Sequence, residues 1–164
     1  MLSKLRQSKK EQGFTIIEVL IVLAIAGLIL LVVFLAVPAL QRNARNTQRT
    51  EDAGNILSAI TEFATNNNGS LPAAGGTGGS GSSLTVGGSG TNTVPVNLGY
   101  YDAANVSIVA WSTGLTNTST TDKAIIVKGA VCSTTTTGDP ASGSTRAVVI
   151  LYTLETSSKQ CRAS

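Results

Sequence analysis

The sequence predicts an α+β fold, a long N-terminal α-helix packed on a small antiparallel β-sheet head. Three observations predict it. Val19 to Leu40 is a run of 22 residues without a charge. The stretch that follows, to Asn66, repeats apolar residues at three- and four-residue steps. Beyond Asn105, short β-branched runs alternate with Gly, Asp and Ser/Thr clusters. A helix succeeded by a series of strands segregates the two kinds of structure into layers.

The first element begins at a charge boundary. Met1 to Gln12 carries Lys4, Arg6, Lys9 and Lys10 against the single acid Glu11. At about 1.5 Å per residue, a helix over Val19–Leu40 is roughly 33 Å long, enough for a hydrocarbon core. Sixteen of its residues are Leu, Ile, Val or Phe, which offer roughly −5 to −10 kcal/mol of insertion free energy. Glu18 stands at the head of this run, and a carboxylate there costs at most about 2.5–3.5 kcal/mol on the same scale. Insertion wins, and an acid kept in such a place points to a role. The leader basics outnumber Arg42, Arg45 and Arg49 on the far side, so the leader is expected inside and the head outside. Ala24-Ile25-Ala26 resembles a small-x-small cleavage site. A cut there would strand about fourteen apolar residues on the mature chain, so a conventional signal peptide is the weaker reading.

Composition narrows the function classes. There is no histidine, which removes the commonest general base and metal ligand. Asp122 and Asp139 fall at no metal-ligand spacing, and no nucleophile–base constellation appears, so the chain reads as a non-enzyme with no metal and no cofactor. The net charge is +3. A cut after Gly13 takes four basic residues and one acid from totals of twelve and nine, leaving eight of each. The basicity therefore belongs to the leader, and nucleic acid is not an expected partner of the subunit.

Gly13-Phe14-Thr15-Ile16-Ile17-Glu18, with a basic leader before it and an uncharged helix after it, closely resembles the class III signal of type IV prepilins. The resemblance covers about 30 residues. It implies cleavage between Gly13 and Phe14 by a membrane-embedded prepilin peptidase, then N-methylation of the Phe14 amine. Cleavage there keeps the apolar helix on the mature chain, as a membrane anchor first and a filament core later. Phe14 and Glu18 would serve filament assembly, with Glu18 pairing with the Phe14 amine of a neighbouring subunit and setting axial register. A carboxylate lying at the lipid headgroup is the plainer alternative. The family often has a glycine at the position of Gly27 and a proline eight residues later. Here Leu35 takes that place and Pro38 comes eleven residues after Gly27. Both weaken a helix, and either melting between them or a simple kink could result. The implied partners are identical subunits in a helical filament, the peptidase, the inner-membrane pilus assembly machinery and, before assembly, the membrane.

Five segments follow from these readings. Residues 1–13 form a cleaved leader, 14–40 the transmembrane or filament-core helix, and 41–68 an amphipathic helix. Ala53, Ile56, Leu57, Ile60, Phe63 and Ala64 share its inner face. Residues 69–105 form a Gly/Ser/Thr-rich loop, without the lysine of a phosphate-binding loop. Residues 106–164 form the sheet, with strands expected at Val106–Trp111, Ala124–Val131 and Ala147–Leu154. The layout is similar to a pilin head, in which the loop and the C-terminal region form the exposed surface. Cys132 and Cys161, beyond a membrane segment, suit a disulfide worth roughly 3–4 kcal/mol; two unpaired structural thiols are the alternative. Trp111, Tyr100 and Tyr101 read as packing residues before a binding patch. The Asn68, Asn105 and Asn117 glycosylation tripeptides are explained by composition.

The sequence thus predicts the major subunit of a type IV pilus-like filament, made as a single-pass membrane precursor and then displayed extracellularly for adhesion, motility or DNA uptake. A pseudopilin of type II secretion, or a minor or competence pilin, shares the same N-terminus. A membrane-anchored binding domain that never polymerises is the rival from another class.

Overall fold

The structure, a computed structural model, describes residues 13–87 and 92–164. The basic leader up to Gln12 and residues 88–91 of the glycine-rich segment lie outside the described residues. The chain divides into two units between Leu40 and Gln41, each considered by itself. One helix, α1 (Ile16–Asn66), contributes to both.

In the first unit, Thr15 precedes the helix and its Oγ1 accepts from the Glu18 N–H at 3.3 Å. Thr15 thus serves as the N-cap, its hydroxyl sharing this first-turn donor with its own carbonyl, which lies 3.1 Å from the same N–H. The helix runs unbroken through Gly27 and Pro38. Pro38 has no N–H to give the Phe34 carbonyl, so that acceptor loses its intrahelical partner, at about 3 kcal/mol or more.

In the second unit, α1 buries Ala53, Ile56, Leu57, Ala59 and Ile60. The expected stripe is real, with Phe63 packed at the edge of the same cluster. Arg49 and Asp52 extend it and are also buried. The helix stops at Asn66, where Asn68 and Gly69 turn into positive φ and the Gly69 N–H caps the Ala64 carbonyl at 2.7 Å.

The main sheet has four strands in the order β4 (Val106–Ala110), β5 (Ala124–Lys128), β8 (Val148–Thr153) and β9 (Lys159–Ala163). It is mixed, not wholly antiparallel, because β4 and β5 run parallel. The chain between them, Trp111 to Lys123, is long enough for the crossover that parallel pairing needs. Alternate residues of β5 and β8 supply two cores. Ile126 and Ile150 join the helix stripe, while Val127, Val149 and Leu151 form a second cluster with Trp111, Leu115 and the cysteines packed against it. The expected strand Ala124–Val131 is broken by Gly129, whose φ is +73°, into β5 and β6 (Ala130–Cys132). The latter pairs with β7 (Pro140–Ser142). Cys132 of β6 is bridged to Cys161 of β9, with a Cα–Cα distance of 5.6 Å.

The segment expected to be a loop, 69–105, holds a second sheet. β1 (Thr77–Ser80), β2 (Ser83–Val86) and β3 (Val94–Asn97) pair antiparallel in that order. Leu84, Val86, Val94 and Val96 alternate inward and join the helix core. The glycines have work there. A side chain at Gly79, whose φ is +118°, would collide with the Ser83 carbonyl of the paired strand, and one at Gly87 would lie 2.4 Å from the Phe63 ring. Glycine lets the chain turn tightly and lie directly on the helix.

Candidate functional site at the N-terminal junction

Phe14 and Glu18 stand four residues apart, on one side of the first turn, and Val22 continues the line. With Val19 and Leu23 they border a shallow groove. Phe14 is 84% exposed. Among the described residues, the Glu18 carboxylate has neither a hydrogen-bond donor nor a cation. Glu18 sits at the third helical position after Thr15, in the pattern Thr-x-x-Glu that marks a capping box. Its N–H is bonded to Thr15, but its carboxylate does not complete the reciprocal bond. A carboxylate at a helix N-terminus also complements the dipole, by about 0.3–1 kcal/mol.

Large exposed apolar side chains are concentrated in this unit. Among the described residues all but Val131 fall between Phe14 and Leu40, on every side of the helix. A soluble protein does not leave such a surface in water. Among the described residues a Cβ placed on Gly13 or Gly27 would meet no atom within 4 Å, and neither glycine has a positive φ, so no described neighbour requires glycine at either position. The sequence singled out Gly13, Phe14 and Glu18 and missed Thr15, although Thr15 and Glu18 spell the capping pattern.

The second unit holds a polar cluster that sequence patterns do not reveal. The Arg49 guanidinium is fully buried. Its Nη2 donates to Glu155 Oε1 at 2.9 Å and to the Tyr100 hydroxyl at 2.5 Å, and its Nε donates to the Thr121 carbonyl at 2.9 Å. It also lies 4.0 Å from the centroid of the Tyr100 ring. Arg45 Nε reaches the same Glu155 oxygen at 2.8 Å, and Tyr100 passes a hydrogen bond to Asp122 at 2.9 Å. Burial alone would lower the Arg49 pKa, but the Glu155 and Tyr100 hydrogen bonds outweigh it and the net direction is upward. Burial raises the Tyr100 pKa, helped by Asp122. Hydrogen bonds from Arg45 and then Arg49 hold the Glu155 carboxyl below its ordinary value. This cluster ties α1 to the loops around Tyr100, Thr121 and Glu155.

A pH dependence follows. A lowered folded-state pKa gives stability that is present above the unfolded value, near 4.3, and is lost as pH falls through the folded value. Thermal melts between pH 6 and pH 3 should therefore show wild type losing its advantage over Glu155→Gln as the solution is acidified below about pH 4.3. A constant gap between the two melting curves across that range would rule this out.

The family model for the prokaryotic N-terminal methylation motif matches residues 8–34. This motif is the class III signal peptide of type IV pilins and pseudopilins. The match covers the junction and most of the apolar run and ends before the head. No curated protein and no solved structure gives a significant match. With one helix among the described residues long and apolar enough to cross a membrane, the motif fits a membrane-anchored precursor.

Proposed function

We propose that this chain is a prepilin, cleaved between Gly13 and Phe14, methylated at the new amine and polymerised through α1 as the major subunit of a type IV pilus-like filament. The observation that carries this reading is the methylation motif over residues 8–34, with the exposed apolar helix directly behind its cleavage point. Among the described residues no atom crowds a side chain at Gly13, so a small residue there suits recognition by a peptidase. Residues 1–13 would remain inside the cell until removed, and the helix would rest in the membrane until assembly machinery extracts it. Identical subunits then bury it by head-to-tail helical packing, driven by the hydrophobic effect. Glu18, unpartnered among the described residues, would meet the Phe14 amine of the next subunit. Gly27 and Pro38 mark where the helix could stretch in the filament. The role is structural, and the buried Arg49 and Asp52 of the head are engaged with partners inside it.

A type II secretion pseudopilin or a minor pilin shares the same junction. The disulfide-tied C-terminal region supports the pilin reading over the pseudopilin. Protein sheared from the cell surface and analysed by intact and N-terminal peptide mass spectrometry distinguishes them. A chain starting at Phe14 with one added methyl, recovered in the filament fraction, is expected. The same processed chain confined to membranes favours the pseudopilin. A chain that still starts at Met1 there favours an anchored domain that does not polymerise.

A further inference from the structure

A strand edge with unpaired N–H and C=O groups is a template for another chain. In the head, β1, β4 and β9 have theirs covered or charged. Outside β4, the Ile108 carbonyl accepts from the Gly75 N–H at 3.1 Å and the Val106 carbonyl from the Thr77 hydroxyl at 3.0 Å. Just past β1, the Gly81 carbonyl accepts from the Ala103 N–H at 2.8 Å. β9 carries Lys159 and Arg162.

β3 is different. It lies at the margin of the three-stranded sheet, paired only to β2. The Leu98 N–H donates to the Ser82 carbonyl at 2.7 Å. In the same register Val96 faces Leu84 and Val94 faces Val86, and bonded pairs alternate along an antiparallel ladder. Val94, Val96 and Leu98 therefore direct their backbone groups at β2, while Pro95 and Asn97 direct theirs away from it. Both are exposed. Among the described residues nothing bonds to the Pro95 carbonyl or to the Asn97 backbone N–H and C=O. The margin borders an open groove whose other wall is the Asn55, Ser58 and Glu62 face of α1. Proline has no N–H to give, and it stands among the outward-facing groups, where a partner strand would need a donor. Toward β2 it is harmless, because Thr85 opposite makes no ladder bond to it. One position earlier or later, a proline would break a bond to β2.

We propose that Pro95 closes the β3 edge against a second copy of this chain, so that heads brought side by side do not join by strand pairing. The self-complementary partner is the same edge. A two-fold antiparallel pair centred on residue 95 sets Pro95 opposite Pro95, with both central donors missing and each ring against the other's carbonyl. With an ordinary residue at 95, the two three-stranded sheets join into one. The device lies in the head and holds whether or not α1 builds a filament.

The test uses full-length protein in detergent micelles, with sedimentation velocity for association and residue-resolved amide exchange for the edge. In wild type the Asn97 amide should exchange as an open one. Pro95→Thr supplies the missing donor. It should raise the oligomeric state above that of wild type at concentrations on the order of 100 µM, and slow Asn97 exchange by about tenfold or more. Pro95→Lys supplies the same donor but puts a charge on the edge, and should behave as wild type. An Asn97 amide already protected in wild type would mean that the edge is covered, and would overturn the proposal without recourse to any variant. So would a Pro95→Thr chain that associates no more than wild type, equal association of the two variants, or association that leaves Asn97 exchange unchanged.

Discussion

Asp52→Ala is expected to destabilise the head by roughly 3–6 kcal/mol, from the cost of unmaking hydrogen bonds to a charged acceptor. Asp52 is 2% exposed. One carboxylate oxygen accepts from the Gly99 N–H at 2.7 Å; the other accepts from Tyr100 at 2.8 Å and Tyr101 at 3.0 Å. The side chain thus gathers three consecutive backbone donors that belong to no strand. Alanine would leave the Tyr101 N–H buried without an acceptor, and water could reach the other two only by opening the turn. A loss of this size is a large part of a domain's typical 5–15 kcal/mol. The substitution Asp52→Asn would be little better, because an amide has one oxygen and would turn its NH₂ toward at least one N–H donor. Denaturant melts of the full-length chain in detergent, followed by circular dichroism, measure the effect. A loss below about 1 kcal/mol, the size of an ordinary surface effect, would mean that the turn finds other acceptors.

Asp52 also shows where sequence reasoning stopped. The stripe from Ala53 to Ala64 was legible because apolar periodicity reports burial directly. Arg49 and Asp52 lie on the same face, three or four residues earlier in each step, but their charge reads as solvent-facing. What makes them buried is a set of partners far away in the chain, Glu155, Tyr100, Thr121 and the 99–101 turn, and no local pattern announces these. The same limit hid the small sheet. In Thr77–Asn97, the inward residues Leu84, Val86, Val94 and Val96 do alternate, but the paired glycines between them dominate the composition. Each short strand is also only four residues long. β9 was missed for a related reason, since Lys159–Ala163 is an edge strand with polar side chains, held by its register with β8 and by Cys161. The parallel pairing of β4 and β5 is a property of the crossover, which periodicity does not describe. At the N-terminus, by contrast, charge, aromatic, acid and apolar length occur in consecutive residues, so most of that site was legible at once.

Glu18→Ala is expected to abolish filaments in the sheared surface fraction while leaving the precursor in the membrane and the head folded. Among the described residues the carboxylate neither completes the Thr15 cap nor finds a cation, and its dipole contribution is below about 1 kcal/mol. In lipid its loss makes insertion easier. The cost would arise only on assembly, where packed apolar helices exclude water from the Phe14 amine of the adjoining subunit. Removing one member of a buried pair typically costs about 3–5 kcal/mol, because the other charge is left uncompensated. That penalty recurs at every subunit added. Glu18→Gln should fail in the same way, since it keeps shape but not charge. Thr15→Ala separates the assembly role from helix capping. It removes the observed bond to the Glu18 N–H, worth about 0.5–2 kcal/mol, without touching the carboxylate, so filaments should persist. Abundant filaments from Glu18→Ala would instead place the carboxylate at the lipid headgroup and leave axial register to the packing of α1. Filament loss in Thr15→Ala and Glu18→Ala alike would trace the defect to the first helical turn. The ion pair is required only if the two variants part company.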